Sequence, residues 1–171
     1  MSTRLYVDLA KLGNVVAGRN AEALEAVGRG LRSGARGARA LLVRRTPKDN
    51  GHLKAAWRDT ASRPSKGGAV VAAQVMNDAP YAGIVELGAR PHPVSREGRF
   101  AILEWVRRHF PAEEPSEQEE IRDAIVAKLR TKGQKPTYFV RDSMDDILKL
   151  TSREVTNELR KLSKKRPEGR R

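Results

Sequence analysis

Apolar residues recur at three- and four-residue steps from Leu24 through Val27, Leu31, Ala35 and Ala38 to Leu42. That is the period of one helix face, and it predicts a long helix over residues 20–45. Asn20 suits the N-cap, Glu22 and Glu25 suit the positive end of the helix dipole, and Arg44 and Arg45 its negative end. Gly28, Gly30, Gly34 and Gly37 interrupt the same stretch, each costing about 1 kcal/mol relative to alanine. A helix that keeps four of them draws its stability from close packing, because small residues at a seam let a second backbone approach. "TPKDNG" (46–51) reads as a turn: Pro47 closes the helix, and Asp49, Asn50 and Gly51 supply the turn chemistry.

Further along, the period changes. "RLYVDL" (4–9) and "AVVAAQVMN" (69–77) alternate as strands, and "HLKAAW" (52–57) reads as a strand whose alanines leave it ambiguous. After Pro80, "YAGIVEL" (81–87) is expected to be the antiparallel neighbour of 69–77. "SRPSKGG" (62–68) has loop composition. "GRFAILEWVRRHF" (98–110) and "EQEEIRDAIVAKLRTKG" (117–133) return to helical spacing, separated by "PAEEPS", with Gly133 as the stop of the latter. "QKPTYFV" (134–140) is extended. Met144, Ile147, Leu148, Thr151, Val155, Leu159 and Leu162 mark a final helix over about 141–163, followed by a basic tail at 163–171 expected to be disordered. The predicted fold is α+β: a small antiparallel β-sheet packed against a long N-terminal helix, with a two-helix insertion at about 97–133 and a C-terminal helix. One domain over 1–162 is expected.

Composition narrows the partners. Only 5% of the 171 residues are aromatic, so Trp57 and Trp105 stand out as packing anchors. With no cysteine, disulfides and thiolate metal sites are excluded. No run approaches the ~20 apolar residues that span a bilayer, and a soluble protein with no membrane partner is expected. The net charge is +13, and every region is basic except 111–136, where six carboxylates outnumber five cations around "PAEEPSEQEE". Such a chain can bind nucleic acid, an anionic membrane or an acidic protein neighbour. Arg29, Arg32, Arg36 and Arg39 recur at helical spacing on a face of their own. They suit a solvated surface, contact with an acidic subunit, or phosphate contact.

Catalytic chemistry finds little support. No phosphate-cradling glycine loop, zinc helix or dinucleotide fingerprint is present. His52, His92 and His109 lie far apart and lack a second ligand at metal spacing. Ser95 and His92, three residues apart in a proline-bounded loop, lack the third orienting group that nucleophilic catalysis needs. Glu86 invites a general-base role, but pairing with Arg90 would lower its pKa, the wrong direction for a base near neutrality. No catalytic residue, metal site or cofactor is expected. Trp57, Tyr81, Trp105 and Phe139 fit core or interface positions better than a base-stacking platform.

Three segments taken in order carry a resemblance. "TPKDNGHLKAAW" (46–57), "APYAGIVELGARPHP" (79–93) and "KPTYFVRDSM" (135–144) are similar to the successive motifs of tailed-bacteriophage neck and tail-completion proteins, the head–tail connector or minor tail component family. The stretch "AILEWVRRHF…EIRDAIVAKLRTKGQKP" looks like the two-helix insertion of some members. The likeness covers about residues 20–160 and departs from the pattern at Asn50 and Ala89, where threonine is frequent. It implies a non-enzymatic structural protein of the virion, at the neck or head–tail junction, assembled in the host cytoplasm. It further implies a sixfold or twelvefold homo-oligomeric ring, other connector, head-closure or tail-tube and terminator proteins as partners, and genomic DNA passing through the channel. The residues expected at subunit contacts are the four arginines with Trp57, Tyr81, Glu86, Arg90, His92, Phe139 and Arg141. The alternative is a basic DNA-binding accessory protein without catalytic activity.

Overall fold

The computed structural model describes residues 2–6, 20–61 and 72–164. Asn20's side chain, strand positions 7–9 and 69–71, the 62–68 loop and the tail from 165 lie outside the described residues. Among the described residues the elements follow in order: β1 (Ser2–Tyr6), α1 (Asn20–Arg45), α2 (His52–Ala55), β2 (Trp57–Ala61), β3 (Ala72–Asn77), α3 (Ala82–Leu87), α4 (Arg96–His109), α5 (Pro115–Lys132), a 3-10 turn (Arg141–Ser143) and α6 (Met144–Lys164). They form two compact units, Met1–Ala82 with Phe139–Arg171, and Gly83–Tyr138. The insertion expected at 97–133 thus falls inside a larger inserted segment.

In the first unit the three strands pair antiparallel in the order β1-β3-β2, with Trp57 opposite Asn77 and Thr3 opposite Val75. Along β3, Ala73, Val75 and Asn77 are buried and alternate with half-buried Ala72, Gln74 and Met76. The period of two therefore turns one sheet face inward. On α1, Val27, Leu31, Ala35, Ala38 and Leu42 are all buried, as the periodicity requires. Leu24, at the first turn, is half-buried.

Gly30, Gly34 and Gly37 of α1 form the seam with α6. A Cβ on Gly30 would lie 2.5 Å from the Val155 Cα, one on Gly34 2.8 Å from the Thr151 methyl, and one on Gly37 2.7 Å from Leu150 Cδ2. At Gly30 and Gly34 a larger residue would meet the backbone of α6 and push the two helices apart, whereas at Gly37 it would meet only the Leu150 side chain. The propensity lost along α1 is thereby exchanged for tight interhelical contact. Ile147, Thr151 and Val155 repeat every four residues on the opposing face of α6 and are buried. The Arg45 guanidinium pins the far ends of the two helices. It donates to the Asp142 carbonyl at 3.1 Å and to Ser143 Oγ at 3.2 Å, and pairs with the Asp146 carboxylate. At this seam Thr151 Oγ1 is buried without a hydrogen-bond partner among the described residues. Thr151→Val keeps the shape and removes the stranded hydroxyl, and is expected to stabilise the protein by about 1 kcal/mol. The urea midpoint measures it, and a loss of stability would show that the hydroxyl is bonded after all.

Two expected strands are helical. Residues 52–55 form one helical turn and the strand begins only at Trp57. Gly51 enters it at φ 87°, Asn50 Oδ1 accepts from the His52 amide at 3.1 Å, and Leu53 is buried. The run His-Leu-Lys-Ala-Ala has no β-branched residue to favour the extended form. The 81–87 run is likewise not a strand beside β3 but the helix α3. Asn77 ends β3 by accepting from the Ala79 amide at 3.0 Å, and the Ala82 amide then bonds to the Ala79 carbonyl at 3.0 Å. Ala82 and Glu86, four apart, are buried, whereas Ile84 and Leu87 are exposed. The last helix also runs further than expected, with Ser163 and Lys164 helical rather than part of a tail.

Within the second unit, Ala89 and Gln134 form an isolated antiparallel bridge, with N–H···O distances of 3.0 and 2.9 Å. α4 and α5 follow as a helical hairpin. Ser95 Oγ caps α4 by accepting from the Gly98 amide at 3.1 Å. A capping box between Glu114 and Glu117, with Pro115 at the first turn, starts α5. Gln118 closes the corner by donating to the carbonyls of Phe110 and Glu113, both at 3.0 Å. The His109 ring stacks on Trp105 at 4.3 Å.

Candidate interaction surface

The four arginines of α1 share its outer face but not their surroundings. Arg29 Nε donates to Glu158 of α6 at 2.9 Å and also approaches Glu25 at 3.8 Å. Arg39 Nε donates to the Trp57 carbonyl at 2.9 Å, with Asp59 of β2 at 3.6 Å. Lys161 and Arg29 both bond to Glu158 and hold its carboxyl below the ordinary glutamate range. Arg32 and Arg36, between these anchored ends, form no ion pair or side-chain hydrogen bond among the described residues. The stripe read from the sequence is thus two structural arginines enclosing two available ones.

The acidic stretch at the start of α5 is also internally graded. Asp123 pairs with Arg122 at 2.8 Å, and that bond lowers its pKa. Glu119 lies 3.8 Å from Arg122. Glu117 is committed to the capping box through the Glu114 amide at 3.2 Å. Its hydrogen bond and its charge push the neighbouring Glu113 carboxyl upward, the signature of crowded like charges. Glu120 is exposed and its side chain makes no such contact among the described residues.

The remaining candidates separate into buried and exposed sets. Trp57, Glu86 and Phe139 are only 2%, 1% and 7% exposed, which leaves them little surface to offer a neighbour. Trp57 Nε1 donates to Thr46 Oγ1 at 2.8 Å, and its ring meets Phe139 edge-on at 6.3 Å. The Glu86 carbonyl accepts from the Tyr138 amide at 3.1 Å, and Thr137 Oγ1 donates to the Val85 carbonyl at 2.7 Å. Tyr81, Arg90, His92 and Arg141 are exposed. His92 Nδ1 donates to the Arg90 carbonyl at 2.8 Å, while His109 does the same to the Trp105 carbonyl at 2.9 Å. These local bonds and the cap on α4 give the His92, His109 and Ser95 side chains structural tasks. Sequence reasoning missed the exposed apolar side chains Ile84, Leu87 and Phe100, because their runs suggested buried faces. Comparison of the chain with protein-family models, curated proteins and solved structures found no match.

Proposed function

We propose that this chain is a structural virion protein of a tailed bacteriophage, forming part of the head–tail connector as an oligomeric ring around the DNA channel. The observation that carries the reading is the work done by the three quoted segments. Thr46, Leu53 and Trp57 of the first are buried. The second supplies buried Glu86 and the turn at Gly88, with φ 74°. In the third, Thr137 and Tyr138 bond to the backbone of Val85 and Glu86, and Phe139 packs on Trp57. Residues that carry the resemblance therefore coincide with residues that hold this fold together. A ring built from one chain needs two different complementary faces on each copy, and basic and acidic exposed patches on separate helices suit that requirement.

The test is genetic. A phage deprived of this protein is expected to accumulate filled heads and free tails that do not join, and wild-type protein supplied in trans should restore infectious particles. Infectious particles formed without it would overturn the reading. Tight binding of plain duplex DNA by the purified chain, falling steeply with salt, together with normal head–tail joining, would favour a DNA-binding accessory role instead.

A further inference from the structure

We infer that Arg32 and Arg36 on α1 of one copy dock on the carboxylates of Glu113, Glu117 and Glu120 at the start of α5 of the next copy. The inference rests on the assembly reading above and names the contact that would join neighbours.

Arg29 and Arg39 are already neutralised within the chain by Glu25, Glu158 and Asp59, so the outer face of α1 is close to electrically balanced apart from its centre. Phosphate recognition along a duplex needs many uncompensated cations, whereas α1 offers two. Arg32 and Arg36 stand one helical turn apart, and Glu117 and Glu120 are three apart on one face of α5. Both spacings put neighbouring side chains about 5–6 Å apart at Cβ, so the two rows match.

The carboxylate side also lacks compensation. Glu113 and Glu117 crowd one another, and Glu120 has no partner among the described residues. An incoming guanidinium pair relieves that repulsion, and its planar fork suits carboxylates. Because the two faces differ, the contact is heterologous and propagates from copy to copy.

Two double variants test it: Arg32→Glu with Arg36→Glu, and Glu113→Arg with Glu120→Arg. The second leaves the Glu114–Glu117 capping box in place. Native mass spectrometry and sedimentation of the full chain at low ionic strength read self-association, with circular dichroism checking the fold. Each variant alone is expected to associate about 100-fold more weakly than wild type, since it places like charges opposite each other. An equimolar mixture should regain association, because every α1 face then finds an α5 face of opposite sign. The mixture also controls for misfolding, since a damaged chain cannot be rescued by its complement. Wild-type oligomers that both variants form equally well would overturn this contact and leave the ring reading standing. A wild-type chain that stays monomeric at every concentration would overturn the contact and count against a self-assembling ring. Loss of duplex-DNA binding in the arginine variant, with association unchanged, would assign the face to phosphate and overturn the contact as well.

Discussion

Replacing Trp57 with alanine is expected to lower the stability of the chain by about 3–5 kcal/mol, the range for deleting a buried aromatic side chain. The indole is 2% exposed and has two tasks. Its ring meets Phe139 edge-on, joining the start of β2 to the segment that leads into α6. Its N–H donates to the Thr46 hydroxyl at 2.8 Å, which in turn donates to the Leu42 carbonyl at 2.6 Å. That carbonyl belongs to the last turn of α1 and also accepts the Thr46 amide at 2.8 Å, so the hydroxyl adds a second bond where the helix ends. The alanine variant therefore loses packing and weakens the relay that closes α1. Trp57→Phe keeps most of the volume and loses the relay donor, so a cost of about 1–3 kcal/mol is expected. Urea unfolding followed by far-ultraviolet circular dichroism measures both. If alanine cost no more than phenylalanine, the aromatic contact would not be the anchor described.

Gly133→Ala is expected to cost about 2–4 kcal/mol, combining the strain of a non-glycine residue at positive φ with a forced backbone shift. Gly133 has φ 69°, and its added Cβ would fall on the Ala89 carbonyl oxygen and 2.8 Å from the Arg90 carbonyl carbon. Ala89 O is the acceptor for the Gln134 amide in the bridge that joins the turn after α3 to the segment after α5. Gly88 adjoins the same bridge at φ 74°, and its Cβ would crowd Gln134 and Pro136. No flexible side chain at the contact can yield, because the atoms in the way are backbone. Gly51 is the control: its φ is 87° but nothing lies within 4 Å of an added Cβ, so Gly51→Ala should cost only about 1 kcal/mol of strain. Hydrogen exchange at the Gln134 and Ala89 amides should rise sharply in the Gly133 variant and stay unchanged in the Gly51 variant. Equal losses for the two would mean that the close approach contributes nothing.

Charge contributes less to the fold than these packing and backbone terms. Several ion pairs among the described residues are exposed pairs close in sequence, such as Arg107 with Glu104 and Arg141 with Asp142, and such pairs contribute about 0–1 kcal/mol. Arg45 differs because it bonds to two groups of the turn before α6 and to the first turn of α6 itself. Its role is to set where α6 begins relative to the end of α1. Asp145 and Asp146 in that first turn also lie where the helix dipole favours negative charge.

Several features follow from local sequence alone. The limits of α1, the hairpin of α4 and α5, and the position of α6 were legible because long periodic stretches and capping residues act within a few residues of each other. The need for a close seam along α1 was legible too, from glycines that would otherwise only weaken a helix. The sequence could not say what fills that seam. Gly30 meets Val155 across more than a hundred residues, and no local pattern encodes which apolar face returns to which. Short apolar runs were equally undetermined. "HLKAAW" and "YAGIVEL" suit strand or helix on period alone, and the choice came from Asx hydrogen bonds at Asn50 and Asn77 and from the burial of Leu53, Ala82 and Glu86. The arginine stripe shows the same division. Its existence is a property of spacing, but which arginines are bound and which remain available depends on Glu158 and Asp59, brought to it from α6 and β2. Local propensity and periodicity determine elements, whereas pairing, burial and the supply of counter-charges depend on contacts distant in sequence, and these only the tertiary structure decides.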